Sequence, residues 1–162
     1  MRWWARKGRQ FLRHLTARVR PDERASLAAW LRPAELALFD GMHVADRRHG
    51  LDVVAALRRS GVTDRDVLAA GLLHDCAKGD TGVGPRVAWS LGEAFGPGVQ
   101  AAAARVPGWA APMDRLRDHA EASAAMVEAA GLPPFAVELV RYQSEPRDPD
   151  FGRLFQLADD GA

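Results

Sequence analysis

The chain has 162 residues, 48% apolar and 27% charged, a balance that suits one globular domain with a single core and excludes a disordered polymer. No apolar run approaches the roughly 20 residues that span a bilayer. The first residues lack the apolar core and cleavage site of a secretory signal, and a lone cysteine, Cys76, excludes an internal disulfide, so a cytoplasmic location is expected.

The net charge of +1 hides an asymmetry. Residues 1–20 hold seven basic side chains (Arg2, Arg6, Lys7, Arg9, Arg13, Arg18 and Arg20) and no acidic one, leaving a mildly acidic body with 15 basic and 21 acidic groups. Thirty alanines, no isoleucine and only three threonines (Thr16, Thr63, Thr81) favour helices over strands throughout, so the predicted fold class is all-α.

In chain order, Trp3 to Val19 reads as an amphipathic helix with Trp4, Phe11, Leu12, Leu15 and Val19 on one face and arginines around the rest. Such a helix can dock on the domain it precedes. Tryptophan beside arginine and lysine also suits a peripheral membrane surface, and a nucleic-acid or protein partner is a further reading. Pro21 starts a second helix running to about Leu31, and Pro33 a third that turns Leu36, Phe39 and Met42 inward, with His43 a further candidate for that face. His49 opens a helix to Arg59 with Val53, Val54 and Leu57 at helical spacing, stopped by Gly61. Thr63 with Asp66 resembles a capping box for the next helix, which runs through Val67, Leu68, Ala70, Leu72 and Leu73 to His74. After Lys78, the glycine-rich loop G-D-T-G-V-G-P lacks the spacing of a phosphate-binding P-loop. Further helices are expected at Pro85–Phe95, Met113–Ala130, Pro134–Gln143 and Phe151–Asp159, with loop at Pro107–Pro112.

One run carries chemistry. In A-A-G-L-L-H-D-C-A-K an apolar helix ends in an imidazole, a carboxylate and, three residues later, an ammonium. A bare carboxylate there is costly to desolvate unless it is paired or bound to a metal. Adjacent helical residues point about 100° apart, so His74 and Asp75 can share an ion only if the helix ends there, and the following G-D-T-G predicts that it does. Alone, the dipeptide is as consistent with a cap or a surface pair. His49 and Asp159 make it a set of two imidazoles and two carboxylates, suited to Mn, Fe, Co, Ni, Zn or Mg.

A histidine opening one helix, a His-Asp pair ending the next and an aspartate on a later helix resemble the HD-domain superfamily of metal-dependent phosphohydrolases. The resemblance rests on R-H-G-L-D-V-V-A-A-L, A-A-G-L-L-H-D-C-A-K and L-F-Q-L-A-D-D, and covers residues 40–160. It implies an HD-like helical bundle over residues 21–162 behind a basic arm, residues 1–20. It also implies one divalent ion on His49, His74, Asp75 and Asp159, with Asp75 and Lys78 as catalytic groups and a small phosphorylated substrate. His43 competes with His49, and Asp160 with Asp159. Lys78 agrees with the family's H-D-x-G-K form, although Ala77 replaces its glycine. With only two lysines among 22 basic residues, a retained lysine suits a compact charge beside a phosphate. The helix bearing His119 is similar to one in the two-metal subgroup, which makes His119 a phosphate contact or a solvated helix residue. Tyr142, Gln143 and Ser144 stand where that subgroup has further histidines, which favours one metal. The expected function is a divalent-metal-dependent phosphohydrolase acting on a phosphomonoester or nucleotide. The alternative is a non-catalytic HD-like regulatory or interaction module.

Overall fold

The computed structural model describes residues 17–162. Most of the predicted basic arm, and with it the amphipathic helix, lies outside the described residues. Residues 17–20 carry no helix, and Val19 packs partly buried against the core.

The described residues form helices and no strands, in agreement with the all-α expectation. In order these are α1 (Pro21–Leu27), α2 (Pro33–Gly41), α3 (Val44–Arg59), α4 (Arg65–Leu73), α5 (Val83–Phe95), α6 (Pro97–Ala103), α7 (Ala110–Ala129), α8 (Pro134–Arg141) and α9 (Gly152–Gly161). None is long and apolar enough to cross a membrane.

Local chemistry sets the helix starts. Proline occupies the first turn of α1, α2, α6 and α8, where its missing N–H costs nothing. Glu23 and Glu35 accept from the backbone N–H of Arg20 and Arg32, the residues that precede α1 and α2. Several starts differ from the sequence expectation. Helix α3 begins at Val44, capped by His43 Nδ1 accepting from Ala45 N, so His49 sits a turn inside the helix instead of opening it. Helix α4 is capped by Asp64 in place of Thr63, because the Asp64 carboxylate reaches both Asp66 N (2.8 Å) and Val67 N (3.0 Å). Helix α7 begins at Ala110, inside the expected loop, since Pro112 is tolerated in a first turn. Pro97–Ala103, which lies outside the helices expected from the sequence, is helical, as α6.

Helix α4 is the centre of the molecule. Every residue from Val67 to Leu73 is buried, and α4 touches α2, α3, α7 and α8. Each large side chain there contributes about 1.5–3 kcal/mol of burial, which fixes α4 as the element others are placed against. Helix α9 packs on α3, with Phe155 buried in the core. Helices α5 and α6 pair with each other, and Trp89, Trp109, Met113 and Leu116 join them to α7 in a smaller apolar cluster.

One close approach positions the site. A Cβ at Gly50 would stand 2.3 Å from the Leu72 carbonyl oxygen, so the α3 and α4 backbones touch there. Gly50 follows His49, and Leu72 lies two residues before His74.

Candidate metal centre

Three elements deliver the donors. His49 comes from α3, His74 from the residue that ends α4, and Asp159 from the last turn of α9. One ligand atom from each lies within 4.8 Å of the others. Atoms about 2.0–2.2 Å from a shared ion stand at most roughly 4.4 Å apart, so these three need only small adjustments to hold one. His49 Nε2 is 2.7 Å from Asp159 Oδ1, and His74 Nε2 is 3.3 Å from the same oxygen. The two imidazoles meet edge to face with centroids 5.2 Å apart, and Phe155 closes the other side of His74 at 5.9 Å.

The chain leaves the regular helix at this point. Helix α4 ends at Leu73, and the bonds Cys76 N to Leu73 O and Lys78 N to Asp75 O wind the next residues into tight turns. Consecutive side chains therefore both turn inward, with His74 Nε2 3.6 Å from Asp75 Oδ2. His74 Nδ1 pairs with the Gly71 carbonyl at 2.9 Å, which aims Nε2 at the carboxylates.

Asp75 stands beside the three-residue group. Its Oδ2 accepts from Lys78 Nζ at 2.5 Å. Its Oδ1 is buried and has no hydrogen-bond partner among the described residues, and His119 Nε2 lies 3.5 Å from it. His119 is half-buried, its Nδ1 held by the Leu116 carbonyl at 2.7 Å, so it faces the centre instead of solvent. His43 caps α3 and Asp160 is exposed, and neither belongs to the group.

Charge follows this arrangement. Burial opposes protonation of His74, but the carboxylates of Asp75 and Asp159 outweigh it and push its pKa up to about 9. Burial likewise opposes ionisation of Asp75 and Asp159. His74 with Lys78 holds Asp75, and His74 with His49 holds Asp159, well below the usual carboxylate range. The Lys78 ammonium is held charged, burial being outweighed by Asp75 and Asp46. His119 is pushed down by burial and then by Lys78. Burial pushes the Cys76 thiol up to about 11, and Cys76 does not belong to the three-residue donor group.

No protein-family model, curated protein or solved structure matches this chain.

Three further residues frame the centre without having been singled out in the sequence. Asp46, three residues before His49, is buried and makes a bidentate pair with Arg86 of α5. Its signal was the i,i+3 spacing to His49, which puts both on one face of α3. The Ser123 hydroxyl, fully buried on α7, accepts from Ala77 N at 3.1 Å and ties down the turn after Asp75. Nothing local marks Ser123 or Arg86, whose partners are 46 and 40 residues away. A surface hollow of about 490 Å³ lined by Arg18, Arg48, Asp52 and Arg59 contains none of the donors. Glu23 and Asp52 already engage Arg48 there.

Proposed function

We propose that this chain is a divalent-metal-dependent phosphohydrolase of the HD-domain type, acting on a phosphomonoester or nucleotide. The observation that carries the reading is a trio of His49, His74 and Asp159 within 4.8 Å, set beside a buried carboxylate oxygen of Asp75 that has no hydrogen bond among the described residues. Imidazole and carboxylate donors fit Mn, Fe, Co, Ni, Zn or Mg. Oδ1, with no hydrogen bond among the described residues, fits a fourth ligand, since buried polar atoms are normally satisfied. The order of donors along α3, α4 and α9 is that of the HD pattern.

When bound, such an ion lowers the pKa of a coordinated water and polarises a phosphoryl oxygen. The remaining work belongs to the chain. His74, its Nδ1 held by the Gly71 carbonyl, would hold the ion through a deprotonated Nε2. Asp159 bridges toward both imidazoles and holds them in register. Lys78 supplies a fixed positive charge next to Asp75, where a phosphate would bring negative charge, and His119 offers Nε2 on the same side. Phe155 and the core above it keep water from the back of His74.

Metal analysis of purified protein, followed by phosphate release from a nucleotide and phosphomonoester panel with Mn or Co, tests the reading. About one divalent ion per chain and chelator-sensitive phosphate release are expected. Metal without phosphate release from any substrate favours the alternative, a regulatory HD-like module, and absence of stoichiometric metal sinks the metal centre itself. For the basic arm, we propose a tether to a membrane surface or nucleic acid. Unchanged liposome and nucleic-acid binding after deletion of residues 1–20 overturns that.

A further inference from the structure

The Asp46–Arg86 pair is built more elaborately than a stabilising ion pair requires. Arg86 Nη1 and Nη2 donate to the two oxygens of Asp46, each at 2.7 Å. Its Nε donates to the buried Thr81 hydroxyl at 2.8 Å, and Nη2 also donates to the Gly79 carbonyl at 3.0 Å. Four hydrogen bonds occupy the fork, so Arg86 has little left to offer a ligand. What it grips is the segment that follows Lys78. That segment turns through Gly79 and Gly82, both at positive φ (61° and 71°), and its anchors are side chains: Arg86 on Gly79 and Thr81, Arg115 on the Asp80 carbonyl, and Asp80 on Gly82 N.

Lysine is a point charge on a flexible stem, and it places its ammonium only as well as its backbone is held. Lys78 lies next to Gly79, which Arg86 holds, and Asp46 is near enough to act on the Lys78 charge. A vacant Asp46 carboxylate would thus compete with Asp75 for that ammonium.

We propose that Arg86 is a positioning residue: by saturating Asp46 and bracing Gly79 and Thr81, it holds Lys78 on Asp75 at the edge of the metal centre, where a phosphate-like anion is received. The inference rests on the metal-centre reading above. It assigns the brace to anion recognition and not to metal retention, because the Gly50–Leu72 contact already sets His49 against His74.

The test is calorimetric binding of Mn²⁺, then of inorganic phosphate to the Mn²⁺-loaded protein, with melting curves throughout. Arg86→Lys keeps the charge but loses the fork. The pair Asp46→Leu with Arg86→Met removes both charges and leaves no buried orphan. Both should keep Mn²⁺ affinity within about threefold and lose phosphate affinity roughly tenfold, the lower end of what a supporting shell contributes. Lys78→Met should lose a similar amount, and adding Arg86→Lys to it should cost nothing more, because both act through one ammonium. Amide exchange at Gly79–Gly82 should quicken in Arg86→Lys.

Unchanged phosphate affinity in the Arg86 variants overturns the proposal, as does a loss that adds in full to that of Lys78→Met. A parallel fall in Mn²⁺ affinity also overturns it, since the brace would then serve the metal. Phosphate that fails to bind the wild-type Mn²⁺ form overturns it as well. A wild-type protein that binds no Mn²⁺ sinks the metal-centre reading, a result visible before any variant is made. Should the apolar pair fail to fold, Arg86→Lys decides alone.

Discussion

Two of the buried carboxylates, Glu35 and Asp75, stand at opposite stages of completion. Glu35, with no exposed surface, has both oxygens engaged: Oε2 accepts from Arg32 N and Arg65 Nη2, and Oε1 from Arg32 Nη1 at 3.2 Å. Asp75, 2% exposed, has one oxygen on Lys78 and the other without a hydrogen bond among the described residues, with His74 and His119 within 3.6 Å. Arginine forks close the first centre with groups that cannot lose their charge. Titratable imidazoles and a single ammonium surround the second. A buried carboxylate with both oxygens held by fixed charges is scaffold, whereas one with an oxygen left open among imidazoles has room for a ligand.

The strongest way to break that contrast is to cut each carboxylate. Glu35→Ala strands two arginines and should cost about 3–5 kcal/mol, lowering the melting temperature by roughly 6–20 °C. Asp75→Asn gives up the ion pair with Lys78 but keeps the side chain's shape, so it should lower the metal-free melting temperature by less than Glu35→Ala does, and remove phosphate release. If Asp75→Asn unfolds the protein as readily as Glu35→Ala, the two centres are both scaffold. Replacing both partners, Glu35→Leu with Arg65→Met, should recover most of the Glu35 loss.

Next in size is removal of one donor. Asp159→Asn should weaken divalent metal binding by at least about 100-fold, or roughly 2.7 kcal/mol, with the helical spectrum unchanged. Asp160→Asn, its exposed neighbour, should change neither. Equal effects from the two would place the ligand wrongly.

Gly50→Ala sharpens the spatial side of the comparison. The new methyl would meet a backbone carbonyl, which cannot swing aside, so α3 and α4 must separate. A loss of about 1–3 kcal/mol is expected, together with weaker metal binding, because His49 moves with α3. Destabilisation with unchanged metal affinity would show that the donors do not depend on this contact.

Proton competition should be visible at the open centre. A metal must displace the His74 proton, and the pKa of that group is pushed up to about 9, so metal affinity should rise about tenfold per pH unit between pH 7 and 8 and level off above 9. The metal-free fold should respond in the opposite sense. A folded pKa raised above the ordinary 6.5 contributes stability that is whole below pH 6.5 and fades as pH rises through 9. The depressed pKa values of Asp75 and Asp159 act at the other end, their contribution fading as pH falls through the carboxylate range. Metal affinity flat from pH 7 to 9 would mean His74 is already neutral.

The two centres also differ in how far they could be read from the sequence. Helix α4, with its unbroken apolar run, was legible because burial on all sides leaves no other pattern, and its end at His74 followed from the glycines beyond. His49, His74 and Asp159 were legible as residue types that need each other. Glu35 was missed. A single glutamate after proline reads as a helix start, which it is, and only the fold brings Arg65, 30 residues on, to the same carboxylate. Asp46 with Arg86 escaped for the same reason. The start of α3 was misplaced because His43, weighed as a ligand, serves as its cap.

The smallest effect concerns what holds the turn after Asp75. The Ser123 hydroxyl is the acceptor for Ala77 N, and the same turn is also held by backbone bonds to Leu73 and Asp75. Ser123→Ala leaves one half-buried N–H without its partner and should cost about 1 kcal/mol, a shift of roughly 2–4 °C. Metal affinity should fall less than threefold, because the backbone bonds still set where His74 and Asp75 point. A larger fall would mean that the open centre owes its geometry to a side chain on α7, much as the Glu35 centre owes its closure to Arg32, just before α2, and Arg65 of α4. The distinction between a completed scaffold and a site awaiting its ligand would then lie in the missing partner of Asp75 Oδ1 alone.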